Sequence, residues 1–412
     1  MQFSFAPEEF LVEEILPTGE VLELDKPFPG TPAEGKFTHF VLQKRLWDTP
    51  RALLELAKVL RVSRKRFNCA GNKDRNAIST QRCSAFALKP EDFSRANIKD
   101  IKILGAWNAA QKVDLGELSG NRFTISLTEA NCGKPIDVEQ VKARAEENHG
   151  LFPNFFGAQR FGSLRQNTHL VGKLLVQNKL KEAVWNYLTF VDEREKTEGQ
   201  EARKKFEEEK DLSKALNYYP LHLKFERTLI AHLHAYKNDY AGALRKFPRS
   251  LSLLFIHAYQ SYLFNELLAT RLKEEELFEA SKGDFYCKAD KLGFPAVEKT
   301  EEITSKKTAE SVNKLISKQK AFLVGNVLGY ESEPTPEEKK LLKKEGLEPA
   351  SFKLAALPEL SSKGTKRALF APLGDFEILR ESPLQVRFSL PSGVYATVAL
   401  ARLFGESGNP QD

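Results

Sequence analysis

The two ends of this chain share a mixed strand and helix texture, and a long, mainly helical stretch separates them. In the first part, "KFTHFVLQK" (36–44) and "ISTQRCSAFAL" (78–88) read as strands, and "NRFTISL" (121–127) alternates through Phe123, Ile125 and Leu127. Between them "TPRALLELAKVLRV" (49–62) reads as a helix with Leu53, Leu56, Ala57 and Leu60 on one face. From about 165 the period is helical, and "IHAYQSYLFNELLATRL" puts Ile256, Tyr259, Leu263 and Leu267 on a shared face. After 373 strand texture returns in "LQVRFSLPSGVYATVALARLF". The expected fold class is α+β: one mixed domain built from both termini and interrupted by a mostly helical insertion, divided as 1–164, 165–372 and 373–412. A length of 412 residues accommodates such an arrangement.

Charge is informative here through its placement. The chain carries 62 Lys and Arg against 56 Asp and Glu, a net of +6. The run 192–212 holds nine acids and six bases and reads as a solvated helix face or a flexible segment. Residues 331–349, "ESEPTPEEKKLLKKEGLEP", read as a proline-punctuated surface excursion. The window 61–75 is different: Arg61, Arg64, Lys65, Arg66, Lys73 and Arg75 stand against Asp74 alone, a candidate phosphate-facing patch. Cations at a helix C-terminus would read the same way.

Four separated cysteines (Cys69, Cys83, Cys132 and Cys287) without a CxxC pair indicate neither a disulfide framework nor a zinc site. His232 and His234 gain no acid or cysteine neighbours, so no metal is expected. The N-terminus lacks a basic segment before an apolar run, and no run is long enough to span a membrane. The chain reads as soluble and cytoplasmic, with no cofactor and no obligatory protein partner.

One carboxylate stands out. In "FNCAGNKDRNAISTQ" (67–81) Gly71 permits a tight turn, and Asp74 sits between Lys73 and Arg75 at the mouth of the following strand. An acid flanked by cations stays ionised. It can be a nucleophile, a base or a turn cap, since Asp often hydrogen-bonds backbone in turns. "PNFFGAQRFG" (153–162) sets two aromatics beside an amide and an arginine, suited to gripping a planar base or to core packing.

Several separated stretches together resemble the TruD family of tRNA pseudouridine synthases. "PEEFLVEE" (7–14) is similar to its N-terminal motif and "AGNKDRNAISTQ" (70–81) to the motif carrying its catalytic aspartate. "GNRFTI" (120–125), "PNFFGAQRFG" (153–162), "YQSYLFN" (259–265) and "LPSGVYATV" (390–398) follow in family order. "QKRLWDT" (43–49) and "YQSYLFN" lean toward the archaeal and eukaryotic branch. The sequence departs from the family pattern in three places: Ser4 stands where a lysine is common, Asn72 and Ser79 alter the second motif, and "ALARL" with Ala401 and Arg402 replaces a Leu-Arg-Glu ending.

The resemblance implies a bipartite pseudouridine-synthase domain with an inserted TRUD domain, and tRNA as partner. It implies that Asp74 is the catalytic aspartate, attacking or deprotonating the ribosyl part of uridine 13 so that uracil detaches, rotates and rejoins through C5. It also implies a substrate pocket in which Phe156 stacks on the base, Asn154 holds loop or base by its amide, and Phe10 forms a wall. Lys73 and Arg75 would keep Asp74 charged and meet phosphates, and Arg160 would join them in binding substrate. Arg61, Arg64, Lys65 and Arg66 would seat the RNA body. The alternatives are the same chemistry on another RNA, and a non-catalytic tRNA-binding or folding protein.

Overall fold

The fold is taken from a computed structural model, which describes residues 3–162, 165–273, 278–406 and 409. The expected boundary at residue 164 lies outside the described residues. The strands are β1 (Phe10–Ile15), β2 (Phe37–Arg45), β3 (Phe67–Cys69), β4 (Ile78–Phe86), β5 (Ile101–Ala109), β6 (Gly120–Leu127) and β7 (Leu151–Pro153), then β8 (Phe285–Ala289), β9 (Pro295–Glu302), β10 (Ala321–Val327), β11 (Thr365–Ala368), β12 (Phe370–Pro372), β13 (Gly374–Glu381) and β14 (Leu384–Pro391).

One sheet takes strands from both ends of the chain in the order β13-β14-β6-β1-β4-β2-β5, with β3 paired to β4. The β1–β4 pair is parallel and the others are antiparallel. Register sets which side chains share a face: Leu11 pairs with Ile78, and Glu14 with Asn121. Because strand side chains alternate, Phe10, Val12 and Glu14 project to one side together. On that side Phe10, Val12, Phe123, Ile125 and Phe388 form a buried cluster under helix Ala396–Leu403 and the Phe155–Phe156 segment.

Helix Thr49–Val59 covers the neighbouring part of the sheet. It begins where it does because Asp48 accepts the Arg51 N–H at 2.9 Å and Pro50 occupies the first turn, where no amide donor is needed. Its Leu53, Leu56 and Ala57, with Leu60 just beyond, pack on Phe40 and Leu42.

The middle of the chain is built around the long helix Arg249–Lys273. Ile256, Tyr259 and Leu263 are buried in the helical core, while Leu267 is half-buried and Leu268 takes the inward place expected of it. A four-stranded sheet, β11-β10-β8-β9, also belongs to this region. Its hairpin leaves little trace in the sequence because the edge strand β9 is Lys- and Glu-rich and has no buried residue, so no alternation marks it.

Three expectations change. The run 192–212 contains an ordered helix, Thr197–Glu209, whose Arg203 is fully buried rather than solvated. Glu195 and Glu226 each meet its guanidinium at 2.8 Å, so two acids neutralise the charge that burial would otherwise penalise. The 331–349 excursion forms helix Pro336–Lys344, started by a Thr335–Glu338 capping box with Leu342 inside. The strand texture after 384 ends at Pro391, and the Ala- and Leu-rich remainder is helix Ala396–Leu403, because the Gly393 turn at φ 79 breaks the strand.

Candidate active site

Asp74 lies on the loop from β3 to β4, and almost everything around it is tied down. The Lys73 N–H donates to Thr49 Oγ1 at 3.0 Å, and Thr49 Oγ1 donates to Gln81 Oε1 at 2.8 Å. Gln81 in turn donates to the Gly71 carbonyl at 3.0 Å. The Lys73 side chain turns inward, reaching Glu14 at 3.1 Å and the Asn121 amide oxygen. Since Glu14 is in register with Asn121, the loop is fastened to the sheet face that also carries Phe10 and Phe123. Ala77, three residues past Asp74, is buried in the same cluster as Phe156.

The Asp74 side chain is exposed, and among the described residues no hydrogen bond or ion pair reaches its carboxylate. Its main chain is held from below. Lys44, fully buried in β2, donates through Nζ to the carbonyls of Lys73 at 3.2 Å and Asp74 at 2.9 Å. Burial pushes the Lys44 amine from the ordinary 10.5 down to about 8, with the Asp74 charge acting in the opposite sense.

A cleft of about 420 Å³ opens beside Asn154, Phe156, Arg160, His257, Lys366 and Arg367. No Asp or Glu is among its lining residues and three cations are, so its potential favours anionic groups. Arg367 enters from β11 and bonds the Asn154 carbonyl at 3.1 Å, the Asn154 amide oxygen at 2.5 Å and the Gly393 carbonyl at 2.9 Å. Its guanidinium stands 4.0 Å from the Phe156 ring centre, and Arg160 is 5.7 Å from it. Tyr395 lies edge-on to the same ring at 6.3 Å. Gly157 permits this approach, because a Cβ there would meet the Tyr395 ring at 2.7 Å.

The residues expected at the site thus fall into groups. Asn154, Phe156 and Arg160 line the cleft; Asp74 does not. Both functional groups of the Asn154 amide are already engaged, by Arg367 and by the Ala368 carbonyl, so it holds the loop. Phe10 is a core residue stacked on Phe5 at 5.2 Å and does not line this cleft. The Lys73 ammonium is turned inward and buried against Glu14, facing the sheet and not solvent. Arg75 is exposed and touches the Leu46 carbonyl at 3.4 Å. Gly71 is not at positive φ, and a Cβ there would find nothing nearer than 4.0 Å, so the turn does not require glycine.

The basic run sits elsewhere on the sheet. Arg64–Arg66 form a single 3₁₀ turn ahead of β3, where Phe67 pairs with Ala85. Lys44 pairs with Ser79, six residues earlier on β4, so the run lies about 20 Å along the strand from the Asp74 anchor. Arg64 and Arg66 donate to the carbonyls of Phe67 and Ala87, while Arg61 and Lys65 are exposed.

Four participants are not singled out by the sequence reading, although Glu14, Lys44 and Asn121 lie within motifs quoted above. Lys44 is the penultimate residue of β2, Glu14 and Asn121 are ordinary polar residues at strand positions, and Arg367 is more than 200 residues from Phe156, which it touches. Only the register and the return of β11 place them here.

A family model described as tRNA pseudouridine synthase D (TruD) matches residues 2–403. A protein of Methanococcoides burtonii named as a candidate tRNA pseudouridine synthase D is 35% identical over 400 residues, covering 92% of this chain and 89% of that one. A similarly named protein of Thermoplasma acidophilum is 34% identical, covering 97% and 92%. The crystal structure of a candidate tRNA pseudouridine synthase D from Methanosarcina mazei superposes with a TM-score of 0.74 at 33% identity, covering 100% of this chain and 94% of that one. Matching sequence over nearly the whole length, together with a matching fold, places the chain in the TruD family of tRNA pseudouridine synthases, isomerases that act on uridine in tRNA.

Proposed function

We propose that the protein converts uridine 13 of tRNA to pseudouridine with Asp74 as its catalytic residue. The observation that carries this reading is that the Asp74 carboxylate is exposed and, among the described residues, without a hydrogen bond or ion pair, on a loop whose adjoining groups are pinned to the sheet. A carboxylate oxygen presented on an anchored loop can attack or deprotonate the ribosyl part of a uridine brought to it. The released uracil would then rotate and rejoin through C5, a redox-neutral rearrangement that loses no atom.

The target uridine has to leave the RNA stack, and unstacking costs a few kcal/mol that stacking and hydrogen bonds in the pocket offset. Phe156 lines the cleft in which a base would be received, and Arg160, Lys366 and Arg367 suit the phosphates on either side of it. The exposed Arg61 and Lys65 would meet the RNA body farther out, with Arg75 nearer to Asp74. We assign residues 165–372 as a unit inserted between two parts of the catalytic domain. Supporting this, β7 and β12, which flank the point of departure and the point of return, pair directly (Phe370 with Pro153). Among the described residues no helix is long and apolar enough to cross a membrane, and the cytoplasm, where tRNA resides, is the proposed location.

The test is release of the C5 hydrogen from an unmodified, uridine-labelled tRNA transcript, with product position mapped, for wild type and Asp74→Asn. Release by wild type alone, at uridine 13, is the expected result, with the variant binding tRNA normally. Turnover by Asp74→Asn at the wild-type rate would remove Asp74 from the mechanism, and product at another position would replace the substrate assignment.

A further inference from the structure

Lys44 is a fully buried lysine that forms no ion pair among the described residues. The groups facing it are Asp74 and Lys73 on the loop, Asp48 ahead of helix Thr49–Val59, and Cys83 on β4. Taking an ammonium out of water is unfavourable, so a chain that keeps one buried needs what the ammonium holds.

What it holds is specific. The Lys73 carbonyl belongs to the peptide group before the Asp74 Cα, and the Asp74 carbonyl to the peptide group after it. Rotation about φ of residue 74 moves the first relative to the Cα, and rotation about ψ moves the second. Bonding both oxygens to one nitrogen, at 3.2 and 2.9 Å, therefore restrains both torsions and with them the direction of the Asp74 Cα–Cβ bond, from which the carboxylate projects. Among the described residues no other hydrogen bond reaches the Asp74 main chain. The loop on either side is held independently, by Thr49 and Gln81 upstream and by the burial of Ala77 downstream. Among the described residues, Lys44 is what holds the main chain at residue 74.

We propose that Lys44 is the positioning residue that aims the Asp74 carboxylate, acting through the two peptide groups that flank it. This rests on Asp74 being the reacting group. Charge-assisted bonds are roughly twice as strong as neutral ones, so loss of the ammonium proton loosens the grip without breaking the fold. With the Lys44 amine brought down to about 8, that loosening falls just above neutral pH.

The experiment compares wild type with Lys44→Met, which keeps length and apolar fit in a buried site. Three quantities are read: pseudouridine formation on a tRNA transcript as kcat and KM from about pH 6.5 to about pH 9.5, tRNA affinity, and hydrogen exchange of a peptide spanning residues 71–77. The expected result is a kcat about 100-fold lower in the variant with KM and affinity unchanged, as for a misplaced reacting group. Wild-type kcat falls as pH rises through about 8 and the variant shows no such limb. Exchange in 71–77 quickens in the variant. A variant kcat within twofold of wild type, or equal losses of kcat and affinity, overturns the proposal. Should wild type form no pseudouridine in any tRNA, the catalytic reading of Asp74 fails. Exchange in 71–77 then decides for Lys44 by itself: unchanged exchange overturns its hold on the loop, and faster exchange upholds it.

Discussion

The Arg367 guanidinium stands 4.0 Å from the centre of the Phe156 ring, and the same group bonds both oxygens of Asn154 and the Gly393 carbonyl. One side chain from β11 thus braces two loops that belong to opposite ends of the chain. A planar fork can serve several acceptors at fixed angles, which a lysine cannot do.

Arg367→Lys therefore keeps a cation in the cleft but loosens Asn154 and Phe156. Pseudouridine formation is expected to fall about tenfold, equivalent to about 1.4 kcal/mol in the barrier. Arg367→Ala should fall further. Single-turnover assays on a tRNA transcript check both, and equal activity of Arg367→Lys and wild type would show that charge alone matters.

The buried Lys44 sets a pH dependence of stability. Its amine sits at 10.5 in the unfolded chain and at about 8 when folded. Between those values the unfolded chain binds a proton that the folded one does not, so stability rises with pH across this window. The contribution is complete above 10.5 and is lost as pH falls through 8, and it amounts to about 3 kcal/mol. Denaturant unfolding of wild type and Lys44→Met should show wild type gaining on the variant by about that amount from pH 7.5 to about pH 10.5. A constant difference would contradict it.

The Glu14–Lys73 pair, with side chains 0% and 5% exposed, lies directly beneath the Asp74 loop. Glu14→Gln leaves the Lys73 charge buried without its partner, and such losses cost about 3–5 kcal/mol. Combining Glu14→Gln with Lys73→Met should recover a large part of that stability, because no uncompensated charge remains. Thermal melting of the three variants measures the coupling; additive losses would mean that the pair does not act as a unit.

The basic run divides by its contacts. Arg61→Ala and Lys65→Ala should each lower the slope of log affinity for tRNA against log salt by about 1, since both are exposed. Arg64→Ala should chiefly destabilise the turn, because Arg64 donates to the Phe67 carbonyl at 2.9 Å. An unchanged slope in the double variant Arg61→Ala and Lys65→Ala would make the run a solvated surface.

The basic run also illustrates how far local sequence carries. Its density suggested one phosphate-facing patch including Lys73 and Arg75, but neighbours in sequence diverge in space: Lys73 points into the sheet, Arg75 into solvent, and Arg64–Arg66 sit at the far end of β4. The acidic run 192–212 misled in the same way, since Arg203 is charged like its neighbours in the run but meets Glu195 and Glu226 inside, beside Arg165. Charge density records composition, whereas burial depends on which face of a helix meets another element.

The sequence by itself determined the α+β class, strands β2, β4, β6 and β14, helix Thr49–Val59 with its buried face, and the family, because periodicity and ordered motifs are local or colinear. It also brought Asn154, Phe156 and Arg160 forward together, since they lie within one short segment. Tertiary structure alone decided that Glu14 and Asn121 receive Lys73, that Lys44 grips the peptide groups around Asp74, and that Arg367 covers Phe156. Those contacts follow from strand register and from the return of the chain at β11, and a one-residue slip in pairing would send every one of the strand side chains to the opposite face.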